Sequence, residues 1–187
     1  GADVNQADND GRTPLYRASE EDHTSVVTAL IEAGADVNKA CDGGITSLYG
    51  ASQGGHEAVV RALIEAGADV NKASDQDATP LYIASQEGHE AVVRALIEAG
   101  ADLNKADDED VTPLYMATLH MATQEGHEAV VTALIEAGAD LNKANSDGRS
   151  PLYIASRYDH VALVRSLIEA GADVNQADND GRTPLYR

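Results

Sequence analysis

Histidine is the residue type in this sequence whose regular spacing most suggests chemistry. One histidine precedes each of five similar apolar runs, at spacings of 33, 33, 38 and 33 residues: His23, His56, His89, His127 and His160. A zinc site needs several such ligands around one ion, but helices that pack side by side lie roughly 10 Å apart. Histidines of neighbouring repeats therefore lie too far apart to bind the same ion. We predict that these side chains bind neighbouring backbone atoms and no metal.

A run of four acidic residues, Asp107, Asp108, Glu109 and Asp110, is a second candidate, for calcium. It lacks the alternating ligands and the distal glutamate of a calcium loop, so we predict a solvated loop tip that faces a partner. The single cysteine, Cys41, has no base motif near it, and the sequence has no phosphate-binding glycine loop or nucleophile elbow. We therefore predict no catalytic residue, no cofactor and no enzyme activity.

The chain is strongly acidic, with 13 lysines and arginines against 32 aspartates and glutamates and a formal net charge of -19. Nucleic-acid contacts need clustered cations, so nucleic acid and acidic membranes are disfavoured as partners, whereas basic proteins are favoured. No apolar run reaches the roughly 18 residues of a membrane-spanning helix. A single cysteine cannot form an intramolecular disulfide, and we expect an intracellular, cytoplasmic protein.

The elements that carry these residues come from an internal repeat. The phrase GADVN or GADLN begins at six glycines separated by 33, 33, 33, 38 and 33 residues: Gly1, Gly34, Gly67, Gly100, Gly138 and Gly171. Self-similarity at such a period is typical of solenoids, in which each unit buries its apolar face against its neighbours. We predict an all-α stack of repeated units.

Each repeat encodes a turn and two antiparallel helices. In the first repeat Asp10-Gly11 indicates a turn, and Thr13 and Pro14 are typical of the first residues of a helix. A second helix is expected over about residues 24 to 33, with a wide apolar stripe that contacts its partner helix and the next repeat. The first helix is expected to end near Asp22, and in other repeats at a capping glycine: Gly55, Gly88 and Gly126.

These units closely resemble ankyrin repeats. The resemblance covers essentially the whole chain and rests on a DxxGxTPL stretch, a GH pair, a VVxxLI core and the GADVN phrase: Asp8, Gly11, Thr13, Pro14 and Leu15 carry the first motif, and Gly55-His56, Gly88-His89 and Gly126-His127 carry the second. It implies an alpha solenoid of stacked β-hairpin-loop, helix, helix units. It also implies a concave side, formed by hairpin tips and first helices, that binds other proteins.

The chain then forms one domain over residues 1–187. Units 1 to 5 cover residues 8–40, 41–73, 74–106, 107–144 and 145–177, with partial units at 1–7 and 178–187.

The units depart from the family pattern at several positions. Asp77 and Asp110 replace a turn glycine and are expected at positive φ. Unit 2 has Ser47 in place of the helix-starting proline and Gly50 inside its first helix, so we predict that it is the softest complete unit. Tyrosine stands where the family has histidine, and we predict that it packs with a satisfied hydroxyl: Tyr16, Tyr49, Tyr82, Tyr115, Tyr153 and Tyr186.

Unit 4 is five residues longer than the others because residues 114–118 are followed by a near copy: Leu119, His120, Met121, Ala122 and Thr123. Five helical residues add about 500° of rotation, which leaves the following residues roughly 140° out of phase. A longer first helix with a distorted end is the outcome we favour, because every inserted residue type tolerates helix. A loop extruded at the junction is the alternative. Either outcome makes His120 and Met121 candidates for a local protrusion, and a tolerated duplication without function is equally compatible.

The candidate binding face consists of side chains at the hairpin tips and on the first helices. These are Asn9, Asp10, Arg12, Arg17, Asp42, Ile45, Asp75, Gln76, Ala78, Asp108, Glu109, Val111, Met116, Ser146, Asp147, Arg149, Arg157 and Tyr158. The predicted groove is acidic in its middle and carries arginine at both ends. Arg157 and Tyr158 are the first candidates for an anchor, because both residue types are frequent hot spots; exposed side chains without a role are the alternative.

Three functions remain open at this point. The leading hypothesis is a non-catalytic scaffold whose concave face binds another protein, a basic one. The second is a structural spacer, a segment of a longer solenoid without a dedicated ligand. The third is an engineered repeat array, against which the irregular insertion and the altered turns argue. The tips vary while the second helices are almost invariant, which mildly favours binding.

Residues 171–187 repeat residues 1–17 without change. Neither end carries the polar capping unit with which solenoids normally finish, so we expect exposed apolar end faces and head-to-tail association of copies, a contact that propagates. In one continuous stack the two identical segments compete for one place. Either one copy is displaced, or the chain is one period of a longer array.

Overall fold

Each unit folds into a tight loop followed by two short antiparallel helices. The computed structural model describes residues 3–120 and 127–185. The first helices are α1 Pro14–Glu20, α3 Ser47–Gly54, α5 Pro80–Glu87, α7 Pro113–His120 and α9 Pro151–Arg157, and the second helices are α2 Thr24–Glu32, α4 Glu57–Glu65, α6 Glu90–Glu98, α8 His127–Glu136 and α10 Val161–Glu169.

The described residues contain these ten α-helices, one short 3-10 turn at Asp42–Gly44 and no strand. This confirms the all-α repeat fold predicted from the sequence. Every helix in the described part of the chain is short, and none has the length and apolar character needed to cross a bilayer.

The helices begin and end near the predicted positions because side chains and left-handed residues satisfy their terminal backbone groups. The hydroxyl of Thr13 accepts a hydrogen bond at 3.1 Å from the N–H three residues later, and equivalent hydroxyls start α3, α5 and α9. Such a cap contributes about 1 kcal/mol. Gly55 and Gly88 follow α3 and α5 at φ of 74° and 77°, and Asp22 follows α1 at φ 57°. The predicted cap Gly126 lies outside the described residues.

The loops before the first helices stack on one another through their backbones. Asp77 and Asp110 adopt the positive φ predicted for this turn, at 58° and 61°. Within the described residues the hairpins show one isolated antiparallel bridge, Ala40 to Thr46. Each pair of successive tips is instead joined by one backbone hydrogen bond: Asp42 N to Asp10 O (3.1 Å), Asp75 N to Gly43 O (2.9 Å), Asp108 N to Gln76 O (3.3 Å), Ser146 N to Glu109 O (3.2 Å) and Asn179 N to Asp147 O (3.0 Å).

The apolar core runs along the stack between two rows of helices. The first helices pack in sequence from α1 to α9, and each packs on the second helix of its own unit. Because burial of apolar surface contributes about 25 cal/mol per Å², each unit depends on its neighbours for stability. A series of leucines at most 1% exposed marks the core: Leu15, Leu48, Leu81, Leu114 and Leu152 from the first helices, and Leu63, Leu96, Leu134 and Leu167 from the second.

A ladder of asparagines joins the closing loops of successive units. In each described junction an asparagine Oδ1 accepts the backbone N–H of an aspartate in the next unit at 2.8 Å: Asn5 from Asp36, Asn38 from Asp69, Asn71 from Asp102, Asn104 from Asp140 and Asn142 from Asp173. The ladder passes through the longer unit 4 unbroken. The insertion therefore leaves the register of the closing loops intact.

The insertion in unit 4 begins inside α7. Leu119 and His120 are helical, whereas Met121, Ala122 and Thr123 lie outside the described residues, so the choice between a longer helix and an extruded loop stays a prediction. His120, a candidate for a local protrusion, contacts the second helix of its own unit. Its side chain is half-buried and its ring stacks on His127, with ring centroids 5.8 Å apart, because the end of α7 lies over the start of α8.

Candidate protein-binding face

In units 1 and 4 the hairpin tip opens with an aspartate whose carboxylate accepts hydrogen bonds from the backbone of the loop. Asp8 Oδ1 accepts hydrogen bonds from the backbone N–H groups of Asp10 and Arg12 at 3.0 and 2.9 Å, and Asp107 acts in the same way in unit 4. The Arg12 N–H is the main cause that lowers the pKa of the Asp8 carboxyl. In both units the two residues after the opening aspartate are exposed. The tips thus present their middle residues to solvent.

In the outer tips an arginine forms an ion pair with an aspartate of the same tip. In unit 1 Arg12 lies 3.9 Å from Asp10, and in unit 5 Arg149 lies 2.9 Å from Asp147. The same pair recurs in the partial unit that follows, where Arg182 lies 3.2 Å from its acid. These arginines stand at one fixed position of the tip.

The central tips lack that arginine. Units 2, 3 and 4 have Ile45, Ala78 and Val111 in its place. Their exposed carboxylates have no ion pair among the described residues: Asp42, Asp75, Asp77, Asp108, Glu109 and Asp110. The middle of the face is therefore an uncompensated negative surface, between outer tips whose charge is balanced.

The tyrosines form the floor of the groove. Tyr16, Tyr82, Tyr115 and Tyr153 are buried, and Tyr49 is half-buried. Burial, assisted by the Glu20 carboxylate, raises the pKa of Tyr16 to about 12, and burial raises the pKa of Tyr115 to about 12.

Hydroxyl contacts accompany this packing. The Tyr16 hydroxyl donates to Glu20 Oε1 at 3.4 Å, and the pKa of Tyr82 is raised by burial and by the Asp107 carboxylate. The prediction that these side chains pack with a satisfied hydroxyl is confirmed for Tyr16. Tyr186 lies outside the described residues.

The structure separates the predicted binding residues into three groups. Ala78 and Val111 are buried in an apolar cluster with the tyrosines, where they support the floor and offer no side chain to a partner. Four are half-exposed, namely Arg12, Ile45, Met116 and Arg149. The others are exposed: Asn9, Asp10, Arg17, Asp42, Asp75, Gln76, Asp108, Glu109, Ser146, Asp147, Arg157 and Tyr158.

The two candidate anchors stand together at the end of α9. Arg157 is its last residue and is exposed, and Tyr158 follows it with 49% of its surface exposed. The Tyr158 ring lies 6.4 Å from that of His160, at a tilted angle. Arg157 also lines an open depression of about 650 Å³ together with Tyr153 and Arg182. A tyrosine and a cation are thus available side by side, as the sequence suggested.

Histidines at the start of the second helices bind backbone atoms of the preceding unit. His56 Nε2 lies 3.0 Å from Glu20 O, and His89 and His127 make the same contact to their preceding units at 2.9 and 2.7 Å. The prediction of structural histidines is confirmed at these positions. Among the described residues no group of histidine, cysteine, aspartate and glutamate side chains is arranged to hold a metal ion.

Two features that the structure reveals were not predicted from the sequence. The asparagine of the GADVN phrase carries the ladder between closing loops, and its signal was the unvaried recurrence of that phrase. Tyr49, with Met116 and Leu119, presents half-exposed apolar surface at the centre of the groove. The sequence placed Tyr49 among the packed tyrosines, and no pattern indicated that it differs from the buried Tyr16, Tyr82, Tyr115 and Tyr153.

Comparison with known families supports this architecture. The model for ankyrin repeats (3 copies) matches residues 1–74 and 119–187, and the model for a single ankyrin repeat matches residues 76–108. No curated protein matches the chain. Ankyrin repeats generally mediate protein–protein interaction and are typically non-catalytic scaffolds. With matches over most of its length, a stack of helix pairs and the predicted motifs at the predicted positions, the chain belongs to the ankyrin repeat family.

Proposed function

We propose that this chain is a non-catalytic scaffold whose concave face binds another protein through a basic segment of that protein. One observation carries the proposal: the exposed carboxylates of the three central tips have no ion pair among the described residues, whereas the outer tips pair theirs with arginine. Family membership supports protein binding as the class of function. The charge pattern supports the basic character of the partner.

A partner that brings lysine or arginine to the central tips meets carboxylates with no competing cation. Each such contact is exposed to solvent and contributes about 0.2–1 kcal/mol, so several together are needed for stable binding. Complementary charge also speeds association, and the rate falls as salt is added. Binding is therefore expected to depend strongly on ionic strength.

Apolar side chains beside the acids favour a segment that alternates basic and apolar residues. Ile45, Tyr49 and Met116 are half-exposed next to the central tips. They offer apolar contact surface on the floor while the carboxylates stand along the tips. Arg157 and Tyr158, exposed at the end of α9, are the proposed anchor at the outer end of the groove.

The test uses a fluorescent peptide of alternating arginine and leucine and a variant that neutralises three tips, Asp42→Asn, Asp75→Asn and Asp108→Asn. The matched control, Glu32→Gln, Glu65→Gln and Glu169→Gln, removes the same charge from exposed positions of the second helices. We expect the tip variant to weaken binding about tenfold at low salt and the control to weaken it less than about twofold. Equal weakening would mean that net charge alone attracts the peptide and would refute the binding face.

A second candidate function is a spacer that self-associates head to tail, and exposed apolar side chains on α2 and α10 favour it. Val26 on α2 is 49% exposed, although the corresponding Val59, Val92 and Val130 of the inner units are at most 1% exposed. On the opposite face Ile168 of α10 is 42% exposed. These are the two sides of the contact that joins second helices inside the stack, so a second copy fits them.

Sedimentation at increasing concentration tests this candidate, in salt high enough to screen the repulsion between acidic copies. Val26→Lys and Ile168→Lys are each expected to abolish the increase of the sedimentation coefficient with concentration. Ser25→Lys is the control, since Ala58 and Ala91 stay exposed at the same position of the inner units. A monodisperse monomer at high concentration would contradict head-to-tail self-association.

A further inference from the structure

The row of second helices is interrupted between α8 and α10. In the helix pairs α2–α4, α4–α6 and α6–α8, several Cα atoms of one helix lie within 8 Å of Cα atoms of the other. In the pair α8–α10 the Cα atoms come that close at isolated positions at most. Both helices of this wider pair belong to the described residues. The interface between units 4 and 5 therefore differs from the earlier ones on the side of the second helices.

Burial at the facing positions shows where this interface is open. Ala133 of α8 packs toward α6 and is 2% exposed. Ser166, the corresponding residue of α10, faces α8 across a cleft of about 30 Å³ and is exposed. Deeper in the interface Val131 and Leu163 are buried. The two helices thus touch along their inner edge, while Ser166 on the outer edge of α10 stays exposed.

An ion pair that bridges earlier junctions has no counterpart here. Arg61 of α4 lies 3.1 Å from Glu98 of α6, and Arg94 of α6 lies 3.6 Å from Glu136 of α8. At the same position α8 carries Thr132, whose hydroxyl instead donates to a carbonyl of its own helix at 2.9 Å. Glu169 of α10 therefore receives no cation from α8.

The histidine contact between units is described at the three earlier histidines of the series. His56, His89 and His127 each reach a carbonyl of the preceding first helix. The corresponding residue for His160 is Gln124, which lies outside the described residues. Among the residues that the structure describes, the buried Nε2 atom of His160 has no acceptor.

Other contacts between units 4 and 5 are intact. The tips are joined from Ser146 N to Glu109 O at 3.2 Å, and the closing loops from Asp173 N to Asn142 Oδ1 at 2.8 Å. α7 also packs on α9. The junction is therefore held at its tips, its closing loops and its first helices, and is loose only between its second helices.

We propose that this junction is a hinge, at which unit 5 moves as a block relative to units 1–4 by opening and closing the gap between α8 and α10. The helices of unit 5 stay folded during the motion, and the tip contact and the closing-loop contact act as its pivot. The motion changes the position of Arg157 relative to the acidic central tips. The proposal stands independently of what binds the groove.

Spin labels and double electron–electron resonance test the hinge in a Cys41→Ser background. One pair, Ala137→Cys with Ala170→Cys, follows the last residues of α8 and α10. The matched pair, Ala33→Cys with Ala66→Cys, follows α2 and α4, a junction that is equally near a chain end and also lacks the bridging arginine, at Thr28. We expect a broad or two-peaked distance distribution for the first pair and one narrow peak for the second.

A second experiment restores the missing cation on α8. Thr132→Arg places a guanidinium at the position from which Arg61 and Arg94 reach the next unit, and we expect it to lower the population of the open state about two- to fivefold. Adding Glu169→Gln is expected to cancel that effect, and Thr28→Arg is expected to leave the first pair unchanged. A narrow peak for the α8–α10 pair overturns the hinge. Equal breadth for both pairs also overturns it, because it would indicate fraying at both ends of the chain.

Discussion

Asn38 Oδ1 accepts the backbone N–H of Asp69 in the next unit at 2.8 Å. The Asp69 carboxylate in turn accepts the N–H of Asn71 at 2.9 Å, and Asn71 Oδ1 accepts the N–H of Asp102 at 2.8 Å. The contact therefore passes from unit to unit through one short phrase. This series of contacts keeps the closing loops of successive units in register.

Removal of one step of this ladder is expected to weaken the stack. Asn71→Ala removes the acceptor for Asp102, and we expect a loss of about 1 kcal/mol in the free energy of unfolding, the usual contribution of a neutral hydrogen bond. Urea denaturation measures it. The control is Asn175→Ala, since the Asn175 side chain makes no hydrogen bond to another unit among the described residues. Equal losses in the two variants would contradict a role for the ladder.

The sequence predicted those parts of the fold that depend on local chemistry. Thr13 caps α1 and Gly55 ends α3 because a hydroxyl and a left-handed residue are needed at those points of any helix pair. Asp77 takes a positive φ for the same local reason. Such features repeat with the phrase that encodes them, so one unit predicts the others.

Features that depend on contacts between units were not predictable from the sequence. Ala78 and Val111 were placed on the binding face, but they turn under the tyrosines because the direction of a tip side chain depends on the path of the whole loop. The gap between α8 and α10 depends on how helices of two units pack, which periodicity alone does not determine.

The first helix of unit 2 is expected to open more easily than that of unit 3. Gly50 lies inside α3 and Ile83 holds the same position in α5, and glycine disfavours helix by about 1 kcal/mol relative to alanine. Hydrogen exchange resolved by residue measures the difference. Slower exchange in α3 than in α5 would show that packing outweighs the glycine.

Gly50→Ala tests the cause of that softness. A Cβ at this position lies 3.3 Å from Cε2 and 3.6 Å from Cζ of the Tyr16 ring, so the ring must shift by a few tenths of an ångström. We expect a net gain smaller than the roughly 1 kcal/mol of helix propensity, measured by urea denaturation. Gly50→Val is the comparison and is expected to destabilise, because the two Cγ methyl groups of valine meet the same ring.

Acid is expected to destabilise the chain in part through His120. Burial, and then the neighbouring His127, lower the pKa of His120, against a smaller opposing effect of Glu87. The unfolded chain, with a histidine pKa of about 6.5, then binds more protons than the folded one. The stabilisation is present above that value and is lost as pH falls through the folded pKa.

Urea denaturation from about pH 7.5 to about pH 5 measures this dependence. His120→Gln is expected to lose less stability over that interval than the unaltered chain. His23→Gln, at an exposed position of unit 1, is the control and is expected to follow the unaltered chain. The same pH dependence in all three proteins would remove His120 as a cause.

Alkaline pH is expected to destabilise the groove through its buried tyrosines. Burial raises the pKa of Tyr115 to about 12, and the same cause raises that of Tyr16 to about 12, whereas an unfolded tyrosine ionises at about 10. The folded chain therefore holds its phenolic protons more firmly. The resulting stabilisation is fully present below about pH 10 and is lost as pH rises through the folded pKa.

Tyr115→Phe tests this cause. It is expected to reduce the loss of stability between about pH 9 and about pH 12, measured by thermal unfolding. Tyr158→Phe, at an exposed site, is expected to leave that loss unchanged. An equal effect of both substitutions would show that burial in the groove floor does not set this dependence.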